Sequence, residues 1–301
     1  MTTATPIVTS IPRRTARNWI TTLLVLFKAR VVMLLLFAAL GGAMLGSAGI
    51  PTLGDLGLLM LTGGLSASGA SALNQYIERH KDHVMKRTRR RPLVEGTVHP
   101  RVVLVAATAM IVAASGIAWL AGNPALVIWL AAGAFIYVGV YTIWLKPRSV
   151  LNVVIGGAAG SAAVLSGGAA TGDWADPGVI LLSLLLFTWS PTHFWSLALA
   201  YRTDYARANV PMLPVIASPR RAVFWMLLHA AATALFGLLI ALDPAMGWGY
   251  LLPVGVATLW LLRESARLIT DYSGARALTV FKVSNVYLSI VLLAICLAAV
   301  L

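Results

Sequence analysis

Asn74, Glu78 and Asp82 recur every four residues. In a continuous helix that interval stacks their side chains on one face, about 6 Å apart. An amide and two carboxylates in such a row are hard oxygen donors, suited to Mg²⁺ that keeps some of its waters. A dense cationic segment follows at once, with Lys86, Arg87, Arg89, Arg90 and Arg91. Metal-binding oxygens beside crowded cations suit a phosphorylated ligand, the metal bridging its oxygens and Arg or Lys holding the remainder. A basic run by itself would equally serve to bind anionic lipid and set topology. The acid stripe beside it favours a ligand.

Two further polar groups stand out from apolar surroundings. One runs through Ser190, Pro191, Thr192, His193, Phe194 and Trp195 to Tyr201, Arg202, Asp204, Tyr205 and Arg207. His193 falls about three helical turns before Asp204. A histidine in such an apolar run is either a hydrogen-bonded packing residue or a ligand. The other group holds Tyr141, Thr142, Lys146, Arg148 and Asn152, ahead of Gly156, Gly157 and Gly160. Lys146 and Arg148 alone would be interface anchors, but an embedded amide such as Asn152 needs a partner.

The elements that must position these groups follow from composition. Of 301 residues, 59% are apolar and only 11% charged, against about 25% charged in soluble domains. The chain therefore lacks the polar surface of a water-soluble globule and reads as an all-α, polytopic membrane protein. Nine segments are long and apolar enough to span, at about 20 residues each. They are 31–47, 56–76, 102–120, 125–145, 150–170, 179–200, 222–242, 247–262 and 280–301. With an inside N-terminus, all 23 Lys and Arg fall on the inner side, while Asp55, Asp173, Asp176 and Asp243 fall outside. This is the positive-inside pattern, and it predicts a cytoplasmic N-terminus, an outer C-terminus and an acid stripe at the inner rim. Lys282 is expected at the end of the last span, snorkelling.

The whole chain is expected to form one transmembrane domain, with residues 1–18 a basic cytoplasmic tail of a cell (inner) membrane protein. Gly42/Gly46 and Gly156/Gly160 are spaced for close helix approach. The single cysteine, Cys296, excludes an intramolecular disulfide framework and any cysteine-based metal site.

Taken together, these residues resemble the UbiA superfamily of intramembrane prenyltransferases, and within it the haem-farnesylating branch, over nearly the whole chain. The superfamily mark is the Asn-x-x-x-Asp-x-x-x-Asp pattern, here Asn74, Glu78 and Asp82. The branch marks are Met85-x-Arg87-Thr88-x-x-Arg91-Pro92, Tyr141-Thr142 through Asn152 to Gly156-Gly157, His193-Phe194-Trp195, and Asp204-Tyr205 through Val210-Pro211-Met212-Leu213-Pro214. Four positions depart from that pattern. Glu78 replaces Asp, a single acid (Asp204) stands in the second motif, Ala29 stands where Pro is expected, and Asn209 stands where Gly is usual.

The resemblance implies nine helices around a central cavity and Mg²⁺-dependent transfer of farnesyl from farnesyl diphosphate to a vinyl group of haem B, giving haem O. It implies that Asn74, Glu78, Asp82 and Asp204 hold the metal, and that Arg30, Lys86, Arg87, Arg91 and Lys146 bind the diphosphate. Tyr141, Asn152, His193, Trp195 and Tyr201 would line the haem and prenyl pocket. His193 would contact the iron, with His229 as second choice. Implied partners are the bilayer, a haem A synthase or the assembly of a haem-copper terminal oxidase, and no nucleic acid. Two rival readings remain open: another aromatic acceptor such as a quinone precursor, and an anionic-solute transporter. The latter calls for polar groups strung across the midplane.

Overall fold

The computed structural model describes residues 19–47 and 50–300. The tail expected over 1–18, with Arg13, Arg14 and Arg17, lies outside the described residues, as does Leu301. All regular structure among the described residues is helical. The elements are α1 (Trp19–Leu26), α2 (Ala29–Leu45), α3 (Leu53–Asp82), α4 (Pro92–Glu95), α5 (Pro100–Leu120) and α6 (Pro124–Phe135), which continues as a π-helix over Ile136–Leu145. There follow α7 (Asn152–Gly156), α8 (Ala158–Thr171), α9 (Pro177–Ala200), α10 (Arg202–Arg207) and α11 (Leu213–Ile216). The chain ends with α12 (Pro219–Leu239), α13 (Gly247–Arg267) and α14 (Gly274–Ala298).

The starts are encoded locally. Proline opens α5, α6, α9 and α12 at the first turn, where its missing N–H costs nothing. Thr52 and Asp176 cap α3 and α9 by accepting the N–H groups of Asp55 and Val179, satisfying donors that a helix start leaves free.

Seven helices are long and apolar enough to cross a membrane, and the pair α1–α2 adds an eighth if counted as one bent span. By length and composition this stops short of the nine expected spans. The first expected span, from Val31, lies in α2, which α1 precedes at an angle of 54°. The eighth does form a helix, yet Trp248 and Tyr250 at its start and Arg263 and Glu264 near its end leave α13 outside the spanning set. Lys282 sits two turns inside α14 and is exposed, not at the helix end.

The first break explains itself. Lys28 adopts a left-handed backbone, φ 50°, uncommon for a residue with a Cβ. Gln75 on α3 donates through Nε2 to the carbonyls of Val25 and Leu26, at 2.7 and 2.8 Å, so carbonyls near the broken end of α1 find a donor. Ala29 opens α2, the position where the proline expected there would also fit. Elsewhere small residues let backbones touch. A Cβ on Gly42 would lie 2.1 Å from the Val164 carbonyl oxygen, and one on Gly167 would lie 1.8 Å from that of Ala39. The crossing of α2 and α8 therefore requires both glycines.

Candidate functional site

The helix α3 runs six residues past the expected end of its span, so Asn74, Glu78 and Asp82 do share one continuous helix. All three are buried. Each meets a basic side chain from a different element. Lys28 Nζ, at the α1–α2 break, donates to Asn74 Oδ1 at 2.5 Å. Lys146, just beyond the π-helix, pairs with Glu78 Oε1. Arg91, at the start of α4, donates to Asp82 Oδ2 at 2.6 Å. Burial alone would lower the Lys146 pKa, but the Glu78 carboxylate, with Tyr141 beside it, holds it above the ordinary lysine value.

The π-helix shapes the facing wall. Its i→i+5 turn sets Thr142 over Tyr137, so the Thr142 hydroxyl donates to the Tyr137 carbonyl at 2.7 Å and accepts from Asn74 Nδ2 at 3.0 Å. Tyr137 hydroxyl receives Lys28 Nζ at 2.8 Å and its ring stacks on Tyr141, centroids 5.8 Å apart. Lys146 Nζ lies 5.5 Å from the Tyr141 ring centroid, within cation–π range. Gly156 makes this possible: a Cβ there would fall 2.7 Å from the Tyr141 ring. Such π turns occur often at functional sites.

The loop after the stripe is also built in. Thr88 donates to the Asp82 carbonyl at 3.0 Å, and Met85 belongs to one buried cluster with Tyr205, Val210 and Met212. The Asp204 segment therefore packs around the same end of the bundle as the stripe. Asp204 itself is buried, 3.7 Å from Arg207. Asn209 has φ 50°, which asparagine tolerates better than most residues and which explains its place at the expected glycine. Asn152 Nδ2 reaches the carbonyls of Ser149 and Pro211, at 2.5 and 3.4 Å, tying α7 to the Asp204 segment, while its Oδ1 is buried without a hydrogen bond.

Other expected site residues make no direct contact with the stripe in the hydrogen bonds and ion pairs described above. Arg30, Lys86 and Arg87 are exposed. Trp195 is buried inside the cluster that holds Tyr205, its Nε1 without a hydrogen bond. Tyr201 caps the end of α9 and is partly exposed. His193 is buried, its Nδ1 2.9 Å from Ser284 Oγ, and stacks on Trp189. Among the described residues, no three His, Cys, Asp or Glu side chains gather as one metal cluster. The stripe offers one amide and two carboxylates, hard oxygen donors of the kind Mg²⁺ takes, each met in this structure by a cation, Lys28, Lys146 or Arg91.

Two residues of the array, Lys28 and Tyr137, were not singled out by motif. A cavity of about 800 Å³ opens beside the α1–α2 break, bordered by Leu24, Val25, Lys28, Arg30 and Met33.

The model of the UbiA prenyltransferase family matches residues 34–286. The chain is 40% identical over 272 residues to the protoheme IX farnesyltransferase of Metallosphaera sedula, covering 90% of this chain and 93% of that one. It is 38% identical over 278 residues to the protoheme IX farnesyltransferase of Frankia casuarinae, covering 91% and 96%. Among solved structures, a digeranylgeranylglyceryl phosphate synthase superposes with TM-score 0.78 at 16% identity, covering 93% of this chain and 98% of that one. A UbiA homolog from Archaeoglobus fulgidus bound to GPP and Mg²⁺ gives 0.63 at 15%, covering 91% and 99%. These two likenesses speak for the fold.

Proposed function

The chain belongs to the UbiA prenyltransferase family, and from that premise we propose that it is a protohaem IX farnesyltransferase. It transfers farnesyl from farnesyl diphosphate to a vinyl group of haem B, with water supplying the hydroxyl of the hydroxyethylfarnesyl product, haem O. The observation that carries this reading is the buried array of Asn74, Glu78 and Asp82 facing Lys28, Lys146 and Arg91.

Asn74, Glu78 and Asp82, with Asp204 from the neighbouring segment, hold Mg²⁺, which when bound stabilises the negative charge that develops on the departing diphosphate. Lys28, Lys146 and Arg91 then turn from Asn74, Glu78 and Asp82 to diphosphate oxygens, as charge-assisted donors. They sit in a water-poor site, where such donors count for more than in water. Arg30, Lys86 and Arg87, exposed nearby, attract the anionic substrate to the mouth. As the allylic C–O bond breaks, the Tyr137 and Tyr141 ring faces shelter the farnesyl cation, with Tyr201 and Asn152 at the rim. His193 contacts the haem.

The chain acts as one transmembrane unit in the cell membrane, its array at the cytoplasmic side, with N-terminus inside and C-terminus outside. Its product serves a haem A synthase or the assembly of a haem-copper terminal oxidase. The test is to incubate the purified protein with haem B, farnesyl diphosphate and Mg²⁺. A porphyrin heavier by one farnesyl group plus a hydroxyl is expected; unmodified haem with intact diphosphate overturns the reading.

A further inference from the structure

His193 on α9 and Ser284 on α14 share a proton arrangement that can be read from distances alone. Ser284 Oγ lies 2.8 Å from the Phe281 carbonyl oxygen. A carbonyl carries no proton, so the serine's own proton lies between those two oxygens. The same Oγ lies 2.9 Å from His193 Nδ1. With its proton spent, the hydroxyl can only accept there, so Nδ1 carries the ring's N–H and donates it. In a neutral imidazole the other nitrogen, Nε2, then presents a bare lone pair.

Ser284 holds the ring's surroundings as well. Its backbone carbonyl accepts the Trp189 indole N–H at 2.8 Å. Trp189 stacks on the His193 ring at 4.3 Å between centroids and 19° between planes. Phe281 covers the ring at 4.4 Å, and Phe194 meets it edge-on at 5.1 Å. The ring cannot turn without breaking the Ser284 contact, and exchanging its tautomer would cost the Ser284–Phe281 bond, because the hydroxyl would have to turn its proton to Nδ1. Ser284 is itself fully buried.

We propose that Ser284 is a positioning residue that fixes His193 as the Nδ1–H tautomer, so that Nε2 ligates the iron of a haem substrate. This rests on the haem-farnesylating reading and deepens it. An outer partner that donates to or accepts from a ligating imidazole sets which nitrogen faces the metal, and losing one typically costs about 10- to 100-fold in metal affinity.

The test titrates ferric haem into the full-length purified protein and follows the Soret band, with Mg²⁺-pyrophosphate binding measured in parallel. The native protein should show a histidine-ligated spectrum that His193→Ala abolishes. Ser284→Ala should weaken haem binding about 10-fold and broaden the spectrum, with pyrophosphate binding unchanged. Ser284→Thr, which keeps the hydroxyl, should restore the spectrum. If the alanine variant does not fold, Ser284→Cys carries the test: similar in shape but a weak acceptor, it should behave as expected for alanine. Native haem affinity and spectrum in Ser284→Ala or Ser284→Cys, with His193→Ala defective, would overturn the positioning role alone. Equal loss of haem and pyrophosphate binding would make Ser284 a packing residue. A native protein that takes up no haem would overturn both this role and the haem reading.

Discussion

Lys28 Nζ lies 2.5 Å from Asn74 Oδ1, and the backbone that delivers it is left-handed at φ 50°. A strained residue between two apolar helices and a polar contact 46 positions away are thus made by one side chain. Strain of this kind costs about 1–3 kcal/mol and persists where the surroundings over-determine it. Here Gln75 and Asn74, one residue apart on α3, hold the break and the ammonium respectively.

Two substitutions separate the strain from the charge. Lys28→Gly relieves the backbone and removes the cation; Lys28→Met keeps the strain and removes the cation. Both should lower kcat/KM for farnesyl diphosphate by about 10- to 100-fold, or about 1.4–2.7 kcal/mol of transition-state stabilisation. Only Lys28→Gly should hold or raise thermal stability in detergent. Native kcat/KM in both would make Lys28 a latch for the break and nothing more.

The Lys146–Glu78 pair predicts a different pattern. Removing one partner of a buried ion pair strands the other charge and typically costs about 3–5 kcal/mol. Glu78→Gln and Lys146→Met should each be strongly destabilising, and the double variant clearly less so than their sum, by thermal unfolding. The pH dependence follows from the direction of the Lys146 shift. Its folded pKa is raised, so the stability it lends is fully present below the ordinary lysine value of about 10.4. That stability is lost only as pH rises through the higher folded value. Stability should therefore show no loss attributable to Lys146 between about pH 7 and 10, and such a loss, absent in Lys146→Met, would contradict the assignment.

How much of this was legible in the sequence depended on how local its cause is. The stripe was readable because a four-residue interval needs only an unbroken helix, and α3 supplies one to Asp82. The membrane class was readable from composition, and the glycine spacing found Gly42 and Gly156, though only the backbone shows that one faces Val164 and the other Tyr141. Lys28 and Arg30 are equally basic and two residues apart. Which one turns inward is decided by a left-handed residue and by Gln75, neither visible as a pattern. Tyr137 was hidden for a similar reason. At 3.6 residues per turn, Lys146 lies two and a half turns beyond it, on the opposite face; the wider π turn swings them together. Trp195 stands in a motif, but only the fold shows that it packs with Tyr205 and Met212.

Gly156 offers a test of that π-helix wall. A Cβ added there would stand 2.7 Å from the Tyr141 ring, so Gly156→Ala must displace the tyrosine or the helix. Overpacking of this type costs about 1–3 kcal/mol. The variant should lose thermal stability by that order and lose activity with it, while Gly156→Ala/Tyr141→Ala should regain stability but not activity. A single variant as stable as the native protein would show that the ring moves aside freely.

Asp204 and Asp82 stand on segments joined through the Met85–Tyr205 cluster, yet Asp82 is held by a half-buried Arg91 and Asp204 only by a largely exposed Arg207 at 3.7 Å. The two acids should consequently respond differently to metal. Chelation should abolish farnesyl transfer, and Mg²⁺ should restore it. Asp82→Ala removes a stripe oxygen and also frees Arg91 in a buried setting, so it should eliminate turnover at any Mg²⁺ concentration while the protein still inserts. Asp204→Asn keeps an oxygen donor and frees only an exposed guanidinium. Its turnover should be recoverable at high Mg²⁺, with the half-saturating concentration raised about 10-fold, a change of about 1.4 kcal/mol. A Mg²⁺ titration of each variant reads both outcomes. Were Asp204→Asn to titrate like the native protein, the metal would be held by the stripe alone, and Asp204 would serve only as the partner of Arg207 within α10.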